Sequence, residues 1–133
     1  MRLAASAFAA GVLAGCASGA PQFCGPGLMS RVQAQLFFGR DIMGRGMVSE
    51  EEWRGFLDTE VVPRFPEGFS VADFSGQYRD ASGAIIREPS KQLFVVTHGA
   101  ADDTKLAAIR DAYKRRFQQE SVLLIQSPVC AGF

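Results

Sequence analysis

Hydrophobic periodicity switches between two and about 3.6 residues along this chain, and the order of the switches is its strongest constraint on fold. In 31–38, Val32, Ala34, Leu36 and Phe38 alternate with Gln33 and Gln35, the period of a strand with one polar face. Residues 39–46 read as a loop, and Met47-Val48 as a short adjoining element. Ser49-Glu50-Glu51-Glu52 has the spacing of a capping box, and its acids suit the positive end of a helix dipole. Trp53, Phe56, Leu57, Glu60 and Val61 follow at helical spacing until Pro63 ends the run. Residues 69–79 alternate again, with Val71, Asp73, Ser75 and Gln77 opposite Ala72, Phe74, Gly76 and Tyr78. Asp80-Ala81-Ser82-Gly83 predicts a turn, and 84–96 a long strand. Pro89 cannot donate to a ladder, so a bulge, edge or break is expected near Glu88-Pro89. Asp102-Asp103-Thr104 opens a second helix through about Gln118, with Leu106, Ile109, Tyr113 and Phe117 as its buried stripe. Residues 121–126 predict the last strand.

The order β-α-β-β-α-β predicts a ferredoxin-like α+β fold. Its four-stranded antiparallel sheet should run in the order 4-1-3-2, with both helices on one face. The start of the first strand then lies beside the end of the last. Cys24 precedes the one and Cys130 follows the other.

Val12-Leu13-Ala14-Gly15-Cys16 follows a short apolar run from Leu3, with Arg2 ahead of it. This is the layout of a lipoprotein signal, cut before a cysteine that carries lipid. The run is too short to span a bilayer, which takes about 20 apolar residues. Cleavage after Ser18-Gly19-Ala20 is the alternative, and it puts Pro21 just past the scissile bond. The expected organisation is a signal peptide at 1–15, a flexible tether at 16–30 and one domain at 31–133. Two or more acyl chains on Cys16 would hold the protein on a membrane it does not cross. Ala17, rather than Asp, follows the cysteine. The expected address is the cell envelope, on the periplasmic face of an outer membrane.

An exported chain meets an oxidising compartment, so a Cys24–Cys130 disulfide is the default. Free thiols and a metal pair remain alternatives. The metal reading is poorly served by one histidine, His98, and no C-x-x-C spacing. With 14 basic and 14 acidic residues, the chain lacks the basic excess of a nucleic-acid binder. It contains no G-x-S-x-G, P-loop, H-E-x-x-H or EF-hand motif.

Several short motifs together resemble the bacterial lipoprotein family called domain of unknown function 3574. They are Leu36-Phe37-Phe38-Gly39, Trp53 with Phe56-Leu57, Pro63-Arg64-Phe65-Pro66 with Gly68, and Gly76-Gln77-Tyr78-Arg79-Asp80. Arg87-Glu88-Pro89-Ser90-Lys91 and Tyr113-Lys114 through Phe117, Glu120, Ser121 and Val122 complete the set. Tyr78 stands where the family pattern leads one to expect tryptophan. The resemblance implies export and transfers no catalytic residue.

The densest polar stretch brackets one hairpin. Gln77, Tyr78, Arg79, Arg87 and Lys91 form a candidate site for an anionic ligand, since guanidinium groups suit carboxylate or phosphate. Cross-strand pairing of Arg79 or Arg87 with Asp80 or Glu88 is the bland reading. Arg87 and Lys91 share strand parity, provided Pro89 inserts no bulge. By the same parity Gln33, Gln35, Gln77 and Arg87 would line a pocket on the open sheet face. Arg64 should order its loop through carbonyls, Tyr113 should belong to the core, and Lys114 has Glu120 within reach. His98 reads as a surface residue, and Glu50-Glu51-Glu52 as capping rather than cation binding. No cofactor or metal is called for.

The expectation is therefore a lipid-anchored, non-catalytic binding or accessory domain. Its partners would be a membrane through Cys16 and a small anionic ligand or envelope protein, with a homodimer open to it and no nucleic acid. A small enzyme using the open sheet face is the alternative. Cys16→Ser should move the protein from the membrane to the soluble or unprocessed fraction. Fractionation with mass spectrometry of the mature N-terminus checks this, and an unmodified Pro21 terminus would contradict it.

Overall fold

Strand β1, Met29–Gly39, lies inside the sheet and is paired on both sides. Against β5, Ile85–Thr97, its register runs from Val32↔Thr97 to Gly39↔Ser90. Against β6, Leu123–Ala131, it runs from Met29↔Ala131 to Phe37↔Leu123. Strand β4, Ser70–Arg79, adds to the far side of β5, giving the sheet order β4-β5-β1-β6, antiparallel throughout. This is the expected ferredoxin-like order. The computed structural model describes residues 23–42, 44–79 and 82–133. The signal segment, Cys16, Asp80 and Ala81 lie outside the described residues.

Period-two alternation decides which face packs. Ala34, Leu36 and Phe38 of β1, with Leu93 and Val95 of β5, are buried under the two helices. Helix α1, Glu50–Phe56, supplies Trp53 and Phe56; helix α2, Asp103–Phe117, supplies Leu106, Ile109, Tyr113 and Phe117. The Phe38 ring meets Tyr113 at 4.7 Å, Trp53 at 5.2 Å and Phe56 at 5.8 Å. Tyr113 donates its hydroxyl to the Gly39 carbonyl at 2.8 Å, so the one polar atom of that ring is satisfied.

The capping box forms as expected: the Glu52 amide donates to Ser49 Oγ at 3.1 Å and the Ser49 amide to Glu52 Oε2 at 2.9 Å. The helix departs from expectation after Phe56. Leu57–Val61 is a π-helical turn, closed by the Val62 amide on the Leu57 carbonyl at 2.9 Å. The wider turn inserts one residue. Val61 enters the core, as its place in the stripe predicts, while Glu60, assigned by spacing to the same stripe, turns to Arg64 at 3.0 Å. Arg64 also donates to the Glu60 carbonyl, so it orders its loop as expected.

Two strand expectations shift, and a third resolves to one of its alternatives. The loop at 39–46 carries a small ladder, β2 (Asp41–Ile42) with β3 (Gly46–Met47), clamped where the Val48 amide donates to the Arg40 carbonyl at 2.8 Å. Of the bulge, edge or break expected near Glu88-Pro89, the edge is what occurs: Pro89 pairs with Ser75 in unbroken register and lies past the end of the β1 ladder. Its missing donor costs nothing because the β1 ladder has already ended at Ser90, and its carbonyl accepts from the Arg40 amide. Finally, β6 runs five residues beyond Gln126, through Pro128, which is tolerated on an edge strand.

That extension carries Cys130 opposite Ser30, and Cys130 is bonded to Cys24. Of the stretch assigned to a tether, Cys24 is thus held to the domain, and Met29 and Ser30 already belong to β1. The bridge joins residues 106 apart in sequence. In the chain-entropy account a loop of that size is worth up to about 4.7 kcal/mol. The double variant Cys24→Ser/Cys130→Ser should lose about 2–4.7 kcal/mol of unfolding free energy in urea titrations. Loss of less than about 0.5 kcal/mol would contradict it.

Candidate functional site

Continuous register puts Gln77 directly opposite Arg87, and both share a face with Lys91. That is the helix-bearing face, not the open one. The register thereby separates Gln77 and Arg87 from Gln33 and Gln35, which sit on the helix-free side, and the shared pocket expected from parity does not form. The reason is β1, whose buried set is even-numbered while that of β5 is odd-numbered. Arg79 lies at the hairpin end and donates to the Gly83 carbonyl at 3.0 Å, closing the turn. Tyr78 takes the rung opposite Ile86. Arg87 is exposed and makes no side-chain bond to a described residue.

Lys91 is buried instead, and its charge is already matched. Its ammonium contacts Asp73 across the β4–β5 ladder and Glu50 at 2.9 Å at the start of α1. Glu50 also takes Arg40 at 2.8 Å. Arg40 is itself buried and donates its Nε to the Val48 carbonyl at 2.9 Å. Two cations and two carboxylates thus tie β1, β4, β5 and α1 into one junction. Glu50, expected only to favour a helix end, is its hub.

The electrostatics agree with the geometry. The Lys91 hydrogen bond holds the carboxyl groups of Asp73 and Glu50 below their ordinary values. Burial works against the Lys91 ammonium, but its bonds to Asp73 and Glu50 outweigh that and raise it. Neighbouring family-motif residues are structural too. Gly39 leaves the space in which the Glu88 carboxylate lies, since a Cβ there would clash with Oε1. Glu88 Oε1 accepts from the Asp41 amide at 3.1 Å.

The concave feature lies elsewhere. A cleft of about 530 Å³, neither enclosed nor flat, opens where β1 and β4 begin and β5 ends. Phe69 and Phe94 give it apolar walls beside Phe133. Arg31, Glu67 and His98 give it charge. Arg31 donates to the Ser30 carbonyl and the Met29 sulfur, and no described carboxylate pairs with it. His98 Nε2 stands 3.9 Å from Glu67. Its amide is tied at 2.9 Å to Asp102, whose carboxylate, buried yet bonded to Lys105, is held below the ordinary range. The His98 ring is therefore carried on a fixed backbone at the rim. Sequence reasoning passed over Arg31 and Glu67 because the three elements that meet here are far apart along the chain.

Among the described residues, no cluster of His, Cys, Asp and Glu has the make-up of a metal site, and no helix is long and apolar enough to cross a membrane. The ionic junction makes a stability prediction. Lowered carboxyl values mean that its contribution is present above the ordinary 4.5 of Glu50 and 3.8 of Asp73, and is lost as pH falls below them. Lys91→Met should cost about 1–2 kcal/mol at pH 7, less than a fully buried pair because both acids are solvated. The gap from the parent protein should narrow at pH 3. Urea unfolding at both pH values checks this, and an equal gap at both would contradict it.

Comparison with known proteins follows the architecture. Nothing among curated protein sequences matches the chain. A phage SAM lyase in complex with S-methyl-5'-thioadenosine superimposes with TM-score 0.55 at 19% identity, over 86% of this chain and 96% of that one. CutA from Synechococcus elongatus superimposes with TM-score 0.54 at 17% identity, over 79% of this chain and 85% of that one. At such identities the likeness is one of fold. In sequence, residues 33–133 match the family described as Protein of unknown function (DUF3574), and the chain belongs to that family.

Proposed function

We propose that this is an exported, lipid-anchored binding domain of the cell envelope that takes a small anionic molecule in the cleft at the end of its sheet. One observation carries the reading: a concave site combines aromatic walls with an arginine that has no carboxylate partner among the described residues. Its volume of about 530 Å³ falls within the usual range for small-molecule sites, roughly 300–1,000 Å³. Arg31 would grip an anionic group, and Phe69 and Phe94 would cover an apolar or aromatic body. His98 and Glu67, at the rim, would orient polar substituents. The hairpin cations serve this role less well, because Lys91 is neutralised within the junction, Arg79 closes a turn, and Arg87 is exposed and does not line the cleft.

Binding without catalysis suits this inventory better than an enzyme. No nucleophile lines the cleft beside a base: Ser70 and His98 are both present, but no hydrogen bond joins them. The anchor on Cys16 would keep the site at the membrane surface. The ligand of the phage lyase, S-methyl-5'-thioadenosine, is a useful neutral probe to set beside aromatic carboxylates and nucleoside phosphates. Thermal-shift titration of the full-length protein should show stabilisation by an anionic aromatic compound. Arg31→Ala should weaken that compound at least about tenfold, the value of one charge-assisted bond. A shift that Arg31→Ala leaves intact, or no shift with any anionic probe, would refute the proposal.

A further inference from the structure

The helix-free face of the sheet is amphipathic in an ordered way. Between an outer rung of Met29 with Ala131 at one end and of Tyr78 with Ile86 at the other, six rungs can be followed by register. The first holds Arg31 and Val129, the second Gln33, Ser127 and Val96, and the third Gln35, Ile125, Phe94 and Ser70. The fourth holds Phe37, Leu123, Gln92 and Ala72, the fifth Gly39, Ser90 and Phe74, and the sixth Glu88 and Gly76. Leu123, Ile125 and Phe74 are 57, 44 and 45% exposed although they lie on a regular sheet. Phe37 and Phe74 meet edge to face at 5.7 Å, and Gln92 donates to Gln35 at 2.7 Å, so the surface is already set in place. Apolar area of this kind, rimmed by polar groups, marks an interaction surface.

We infer that this face packs against the same face of a second copy, about a two-fold axis that crosses the strands between the third and fourth rungs. The argument is the symmetry of the charges. Arg31 and Glu88 are the charged residues of the six rungs, and they occupy the first and the last. The proposed axis exchanges first with sixth, so each Arg31 meets the Glu88 of the other copy. An axis along the strands would instead leave like ends together. Glu88 is suited to this, because Oε1 holds the Asp41 amide while Oε2 makes no bond to a described residue. A guanidinium has five N–H donors, enough for Arg31 to hold that carboxylate and an anion in the cleft.

Side-chain size follows the same axis. It sets Gln33 over Gly39 and Val96 over Ser90, large against small, within the tilt of roughly 30° at which stacked sheets cross. The interior rungs carry amides and hydroxyls, which donate and accept and can therefore complement themselves, as an isologous contact requires. The size is adequate. Four strands at ~4.8 Å and about nine residues at ~3.3 Å give a plane on the order of 570 Å² before side-chain relief is counted. A standard interface takes about 800 Å² from each partner. This reading is independent of whether the cleft holds a ligand.

Sedimentation equilibrium of the full-length chain in mild detergent tests it. The expected mass is twice that of one chain. Ile125→Asp, which places two carboxylates beside the axis, should give a single chain with its thermal transition retained. Phe74→Asp, on another strand of the same face, should do the same and guards against a folding defect in the first variant. Glu88→Gln keeps a side-chain oxygen for the Asp41 amide and should weaken association roughly 3- to 10-fold. A photoreactive phenylalanine at position 37 should cross-link in cells to a second, differently tagged copy. A monomeric parent protein, a dimer that survives Ile125→Asp, or cross-links to lipid or to another protein instead of a second copy would overturn the inference. Unchanged association in Glu88→Gln would overturn the antiparallel arrangement.

Discussion

Everything in this domain hangs on β1 being hydrogen-bonded along both edges. A strand so placed must give one face to the core, and the alternation of Ala34, Leu36 and Phe38 decides which. Phe38 stands where the two helices converge, in ring contact with Trp53, Phe56 and Tyr113. Emptying a buried aromatic position of that kind costs about 3–5 kcal/mol, a large share of the stability of a domain this size. Helix positions, crossovers and disulfide all follow from where β1 lies. Its first residues meet the end of β6, so Cys24 and Cys130 can join. Its last residue hands the chain to Arg40, which begins the ionic junction.

That junction explains why a run of charged motif residues need not be a binding site. Arg40 and Lys91 are nearly inaccessible, and a buried cation without a partner is very costly. Each is therefore met by carboxylates whose own outer faces stay in water. Glu50 bridges both, and this ties the first turn of α1 to the point where β1 ends and the β4–β5 ribbon continues alone. Gly39, Glu88 and Pro89 complete the corner by steric fit and backbone bonds. Motif residues of the family are thus spent on holding a ribbon that outruns the sheet. An isolated two-stranded ribbon is marginal in water, so such bracing has a physical purpose.

The features legible in the sequence are those with a local cause. Periodicity gave away four long strands and two helices, Ser49 and Glu52 the helix start, and the end-to-end cysteines the closure of the fold. Parity correctly grouped Arg87 with Lys91. What escaped was set by partners distant along the chain. Lys91 meets Glu50 across 41 residues, and nothing near Lys91 announces that a helix end will cover it. The π-turn hides because inserting one residue leaves the apolar composition of the helix unchanged and shows only in Glu60, which turns to Arg64 while Val61 is buried. The cleft was invisible for the same reason: Arg31, Glu67 and His98 have no sequence relation until the sheet brings three element ends together.

The two faces of the sheet then divide the labour. On the helix-covered face the junction spends its charge internally, and the neutral sum of Arg40, Lys91, Glu50 and Asp73 leaves little there to attract a ligand. The open face keeps almost no charge across its middle and has near one end Arg31, which has no carboxylate partner among the described residues. A domain that bonds Arg40 and Lys91 into the framework on one side and sets Arg31 beside an aromatic cleft on the other has placed a capacity for recognition at that corner. Because that corner is also an end of the apolar face, whatever covers the face bears directly on access to the cleft.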